Sequence, residues 1–213
     1  MSAVRIIIIA KEPRPGLAKT RLIPALGTQG AAELADQLLH HVVSQALAAD
    51  LGPVELCVTP DQDADYWRHW RDNDRIELTE QCDGDLGKRM ATAAQRGLAS
   101  GLPVMLIGTD CPQLEAPRLK TMAAALTQQD ACLCPVLDGG YSLLGLRRFD
   151  SLLFSDIPWS TDQVMALTRD RLRQLGWRWH ESEPLWDLDE PEDLARLQQH
   201  YSRLCLTTAK TLR

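Results

Sequence analysis

Five stretches of the chain carry the charge and backbone freedom that chemistry on a phosphate needs. The first ends in Asp110, in Val104-Met105-Leu106-Ile107-Gly108-Thr109-Asp110-Cys111-Pro112. Its aliphatic run predicts a buried strand over Val104–Ile107, which Gly, Thr, Asp and Pro then end abruptly. A carboxylate at the carboxyl end of a strand in an open α/β sheet lies where ligands bind. With no cation beside it in sequence, Asp110 suits a divalent metal backed by phosphate, because Mg²⁺ is typically held by one or two carboxylates plus substrate phosphates. The plainer role for the same residue is to cap the turn that follows.

The second stretch is the basic loop from Ala10 to Leu22, with Lys11, Arg14, Lys19 and Arg21 around Pro13, Pro15 and Gly16. A strand followed by such a loop can cradle phosphate with backbone N–H groups and cationic side chains together. Ala10, Lys11, Gly16, Lys19 and Arg21 are therefore candidate nucleotide- or phosphate-binding residues. The spacing matches neither G-x₄-G-K-[ST] nor G-x-G-x-x-G. The third stretch, Gln81 to Met90, runs from a loop into a helix predicted over Gly87–Ala99. Helix N-termini attract anions, which makes Gly84, Gly87 and Arg89 further phosphate candidates; indifferent surface exposure is the alternative.

The fourth is Leu137-Asp138-Gly139-Gly140-Tyr141. Asp-Gly-Gly permits positive φ and close backbone approach to a ligand, and it is also a hairpin signal. Asp138, Gly139, Gly140 and Tyr141, with Trp159, are the candidate acceptor- or sugar-binding residues, and Asp138 is also a candidate base. The last is Pro184 to Leu194, where Asp187 and Asp189 alternate. In an extended segment both project from one face, so they can close a metal site with Asp110. Asp189 is alternatively the cap of a helix predicted from Glu190 to about Leu204.

The elements that must position these groups alternate. Strands are predicted over Val4–Ile9, Val54–Val58, Ile76–Leu78, Ala131–Val136, Ser142–Leu146 and Trp177–His180. Helices are predicted over Gln29–Ala49, Asp61–Asn73, Glu115–Gln128 and Thr161–Leu175, the last opened by a capping box from Ser160 to Gln163. Tyr66, Trp67 and Trp70 read as packing residues, and the histidines show no pairing pattern. Alternating strands and helices imply an α/β fold.

Composition narrows the function classes. A chain of 213 residues with 45% hydrophobic content suits one α/β domain, expected over 1–205, with a mobile tail over 206–213. A net charge of -6 argues against a protein that coats nucleic acid. No apolar run approaches the roughly 20 residues of a membrane span, and the first strand is too short for a signal-peptide core, so a cytoplasmic protein is expected. Cys132-Leu133-Cys134 lacks the C-x₂-C spacing of zinc sites.

Lys19-Thr20-Arg21-Leu22, Gly108-Thr109-Asp110-Cys111-Pro112, Asp138-Gly139-Gly140-Tyr141 and Asp187-x-Asp189-x-Pro191-x-Asp193-Leu194 together span nearly the whole chain. In their order and spacing the chain resembles the bacterial glycosyltransferase-A-like family long filed as a domain of unknown function, with members associated with arsenosugar biosynthesis. It is more distantly similar to 2-phospho-lactate guanylyltransferase and molybdenum-cofactor guanylyltransferase. The resemblance implies a three-layer α/β/α nucleotide-diphospho-sugar transferase fold with a mostly parallel sheet. It matches Lys19 and Arg21 to a phosphate-binding block, Asp110 to the metal-binding aspartate, and Asp187 and Asp189 to the block that supplies a second metal ligand. Glycosyltransferases of this fold usually carry D-x-D where this chain has the single Asp110. The expected activity is transfer from a nucleotide sugar to a small-molecule acceptor with Mg²⁺ or Mn²⁺, with Asp110, Asp138 and Lys19 as catalytic residues. The alternatives are nucleotidyl transfer from a nucleoside triphosphate with release of pyrophosphate, and a non-catalytic nucleotide-binding protein of the same fold.

Overall fold

The structure, a computed structural model, describes residues 3–204; the tail expected over 206–213 lies outside the described residues. Seven strands form one sheet: β1 (Arg5–Lys11), β2 (Val54–Thr59), β3 (Ile76–Glu80), β4 (Val104–Ile107), β5 (Ala131–Pro135), β6 (Tyr141–Leu146) and β7 (Trp179–Glu181). They lie in the order β3-β2-β1-β4-β6-β5-β7. β1 pairs parallel with both β2 and β4, and β2 parallel with β3. β6 is antiparallel to both β4 and β5, and β7 returns parallel to β5.

The helices are α1 (Ile23–Ala49), α2 (Arg68–Arg71), α3 (Leu86–Leu98), α4 (Ala116–Ala125), α5 (Val164–Gln174) and α6 (Asp193–His200). The isoleucines of β1 explain the layering. Successive side chains leave a strand on opposite faces, so Ile6 and Ile8 join a core with Leu39, Val42 and Val43 of α1 and Leu119 and Met122 of α4. Ile7 joins the opposite core, with Met90 and Ala94 of α3 and Met165 and Leu172 of α5. A strand buried on both faces reads as a continuous apolar run, as β1 does.

Four departures from the expected elements have local causes. The long helix begins at Ile23 rather than Gln29, and Gly27 (φ 71°, ψ 169°) interrupts it near its start. The helix expected over 61–73 shrinks to a 3₁₀ turn, Asp65–Trp67, and the four residues of α2. The Asp61 carboxylate there accepts from the Asp63 N–H at 2.8 Å, a local bond that competes with helix. Trp67 and Trp70 are buried, as packing residues should be. The capping box at Ser160 does not form: Ser160 has φ 64°, whereas an N-cap residue is extended, and α5 starts only at Val164. The last helix starts at Asp193, not Glu190, and Asp189 does not cap it. Instead the Asp193 carboxylate reaches back to accept from the N–H groups of Asp189 at 3.2 Å and Glu190 at 2.9 Å.

The chain leaves β1 towards β2 and β3 on one side, while β4 lies on the other side. Such a reversal of strand order opens a crevice at the carboxyl ends of the strands. Antiparallel β6 starts at that same edge, because Leu143 lies opposite Ile107. The tip of the β5–β6 hairpin, which holds Asp138, therefore stands beside Asp110.

Candidate functional site

A cavity of about 430 Å³ opens at this edge. Ile9, Leu106 and Met90 line it along with Lys11, Arg89, Asp110, Asp138, Asp187, Trp159 and Tyr141. A second cavity of about 410 Å³ runs along the basic loop and shares Lys11, Thr109, Asp110, Asp138 and Ser160 with the first. The two form one cleft.

The carboxylates are brought in by backbone pairing. Segment 185–189 is laid against the end of β5 and the turn after β4. Leu185 N–H donates to the Pro135 carbonyl at 2.8 Å, Leu137 N–H to the Leu185 carbonyl at 3.0 Å, and Leu188 N–H to the Asp110 carbonyl at 2.9 Å. The Gln113 side chain accepts from Trp186 N–H at 3.0 Å. The extended course lets Asp187 and Asp189 share a face, and the hairpin tip adds Asp138. One carboxylate oxygen from each of Asp138, Asp187 and Asp189 lies within 4.8 Å of the others. Burial first, then Asp138 and Asp189, push the Asp187 carboxyl up to about 6. Oxygen-only ligands crowded in this way fit a hard divalent cation.

This trio shares Asp187 and Asp189 with the expected metal set and has Asp138 where that set has Asp110. The Asp110 carboxylate faces Lys19 Nζ at 2.7 Å. Lys19, with its backbone in the left-handed region, also donates to Asp189 Oδ1 at 2.9 Å and to the Leu188 carbonyl at 2.5 Å. Its side chain is only 7% exposed. Burial opposes the ammonium, yet Asp110 and Asp189 outweigh it and the pKa rises. Elsewhere in the loop Arg14 pairs with Glu12 at 2.6 Å and Arg21 with Glu190 at 3.2 Å. Among the described residues, the cavity-lining cations Lys11 and Arg89 have no carboxylate partner. Lys11 reaches the Leu17 carbonyl at 3.4 Å, and Arg89 the Gly84 carbonyl at 3.0 Å and Gln81 Oε1 at 3.4 Å.

Two glycines expected to admit a ligand admit protein instead. A Cβ on Gly87 would stand 2.2 Å from Trp159 Nε1, so the indole covers the first turn of α3. A Cβ on Gly139 (φ 91°) would stand 2.3 Å from the Asp162 carbonyl oxygen. These contacts pin the loop before α5 against both walls of the cleft. Gly140 N–H donates to Asp138 Oδ1 at 2.8 Å and orients that carboxylate. Gly16 and Gly84 take positive φ in their turns, and Ala10 lines the main cavity. The Tyr141 hydroxyl is buried without a hydrogen-bond partner, and burial pushes its pKa up.

Three supporting residues were not among the candidate site residues. Gln81 donates through Nε2 to the carbonyls of Ala10 at 2.8 Å and Cys57 at 2.9 Å, joining the ends of β1 and β2 to the cavity wall. His41 Nε2 bonds the Pro112 carbonyl at 2.9 Å. Asp193 fixes the backbone that presents Asp189. Gln81 and His41 act on the main chain of distant segments, which spacing in sequence does not reveal, whereas Asp193 acts on the turn just before it.

A family model described as "Uncharacterized protein conserved in bacteria (DUF2064)" matches residues 42–161. No curated protein matches the sequence. Among solved structures, a candidate nucleotide-diphospho-sugar transferase from Desulfovibrio desulfuricans G20 is 29% identical with a TM-score of 0.84, covering 95% of this chain and 90% of that one. A nucleotidyl transferase from Methanothermobacter thermautotroptrophicus is 15% identical with a TM-score of 0.63, covering 95% and 99%. The CMP:2-keto-3-deoxy-manno-octonic acid synthetase complexed with CTP is 12% identical with a TM-score of 0.61, covering 95% and 99%. The last two likenesses show the fold alone. That fold is the mostly parallel, helix-flanked sheet of the nucleotide-diphospho-sugar transferases.

Proposed function

The chain belongs to the DUF2064 family, the bacterial family of unassigned function that its motif blocks resemble, and we propose that it is a divalent-metal-dependent transferase using a nucleotide-sugar donor and a small-molecule acceptor. The observation that carries this reading is the convergence of Asp138, Asp187 and Asp189 in the cleft that Lys11 and Arg89 also line. Acids to hold a cation and free bases to meet phosphate are what a nucleotide diphosphate needs from a protein. The kinship to the Desulfovibrio protein supports the donor class.

Asp138, Asp187 and Asp189 would hold Mg²⁺ or Mn²⁺, which when bound neutralises diphosphate charge as the leaving group departs. Lys11 and Arg89 bind phosphate oxygens. Trp159 and Tyr141 offer apolar surface to the sugar or base. The acceptor hydroxyl loses its proton to a carboxylate at the cleft edge, and its oxygen takes the anomeric carbon as the bond to the phosphate breaks.

Nucleotidyl transfer is the second reading. The single carboxylate after β4, in place of D-x-D, favours it. Incubating the full chain with Mn²⁺, an acceptor panel and either nucleotide sugars or nucleoside triphosphates separates the two. Release of a nucleoside diphosphate from a sugar donor is expected. Pyrophosphate from a triphosphate would replace the first reading with the second. Metal-dependent thermal stabilisation without turnover across the panel would favour a binding protein.

A further inference from the structure

Resting on the metal reading above, we propose that Lys19 is a built-in cation, holding between Asp110 and Asp189 the place that a second divalent ion would otherwise take, and so limits the cleft to one metal. An ammonium has three donors and no acceptor. Here three oxygens surround it: Asp110 Oδ1 in an ion pair at 2.7 Å, and Asp189 Oδ1 at 2.9 Å and the Leu188 carbonyl at 2.5 Å as hydrogen-bond acceptors. Two carboxylates and a main-chain carbonyl converging on one point are the donor set of a hard cation. The side chain is 7% exposed, and Lys19 sits in the left-handed backbone region with φ 45° and ψ 49°. Such a backbone persists when its surroundings over-determine it. A lysine kept to grasp incoming phosphate would need to face the cleft, whereas the Lys19 side chain is buried among protein oxygens.

Two further contacts make the arrangement a fixture of the cleft. Leu188 N–H donates to the Asp110 carbonyl, and the Asp193 carboxylate holds Asp189 N–H. The oxygens around Lys19 are therefore positioned by main-chain bonds as well as by the ammonium. Lys19 thus positions Asp189, which it shares with the Asp138 and Asp187 trio, so that one oxygen can serve the divalent ion while the other serves the lysine.

The test is the Mn²⁺ stoichiometry of the full chain, read from the electron paramagnetic resonance of free Mn²⁺. K19M vacates the oxygen cage without adding charge, so it should bind one Mn²⁺ more per chain than wild type. K19M/D110N should return to the wild-type number. Equal stoichiometry in K19M and wild type, with weaker nucleotide binding in K19M, would show a phosphate ligand and overturn the proposal. A wild-type count of zero would sink the metal reading instead, while the extra ion in K19M would still support the role of Lys19. Should K19M fail to fold, D110N alone decides: an unchanged count supports the proposal, and a count one lower makes Asp110 a metal ligand and overturns it.

Discussion

The basic loop over residues 11–21 and the acidic segment over 185–189 meet in one cleft, and they treat charge in opposite ways. In the loop, Arg14, Lys19 and Arg21 each have a carboxylate within ion-pair distance, and only Lys11 has none among the described residues. On the acidic side Asp189 is paired with Lys19, but Asp187 and the neighbouring Asp138 make no ion pair among the described residues, and Asp187 is partly buried beside other carboxylates. Crowded, desolvated carboxylates disfavour their own charged form, and an incoming cation relieves that cost. Under the proposed function, the difference predicts that metal would enter the cleft before donor. The donor would then meet the metal together with Lys11 and Arg89, while most of the loop's cations are paired within the protein.

The largest effect should come from removing an unmatched carboxylate. Asp187→Asn is expected to weaken Mn²⁺ binding at least tenfold, about 1.4 kcal/mol, by calorimetry, with the far-ultraviolet dichroism unchanged. Undiminished affinity would mean that the crowding of acids is not a cation site. Next comes the loop. Lys11→Ala should weaken metal-dependent donor binding about tenfold, in keeping with a charge-assisted hydrogen bond of about 1.5–3 kcal/mol, whereas Arg14→Ala should change it less than twofold. Equal losses in the two variants would erase the distinction between matched and unmatched cations.

The smallest effect is a pair of opposite pH slopes. Asp187 titrates near 3.8 when unfolded and at about 6 in the metal-free fold. The folded chain then holds a proton that the unfolded chain has lost, so stability falls as pH rises from about 4 to 6. Glu181 is the matched counterpart: hydrogen bonds from Arg169 at 3.0 and 2.7 Å hold its carboxyl below the ordinary range. Its contribution is present above the unfolded value of 4.5 and is lost as pH falls below it. Denaturant midpoints of Asp187→Asn and Glu181→Gln across that range should differ from wild type in opposite directions. Slopes of the same sign would contradict the contrast.

Much of this could be seen in the sequence, and the rest follows a physical pattern. The Val104–Ile107 strand and the aliphatic run of β1 were legible because strands buried on both faces leave no polar residue to confuse the period. The extended course of Asp187 and Asp189 was legible from their alternation. What was hidden depends on partners far along the chain. Asp110 looks free of cations in sequence, yet Lys19 reaches it across the cleft. Gly87 and Gly139 do mark close approaches, but no local signal says that Trp159 and Asp162 are what approaches. The Asp61 turn shortened a helix that apolar spacing alone would have continued.

The bond from Lys19 to Asp189 links residues 170 positions apart in sequence. A chain emerging from the ribosome can assemble β1 to β4 and the wall around Gln81 well before residue 189 appears, since synthesis proceeds at about 5–20 residues per second. Over that interval Asp110 and Lys19 wait without the segment that completes their enclosure. The cleft is therefore among the last features of the nascent protein to mature, and a chain released before residue 189 would carry the sheet without a finished site.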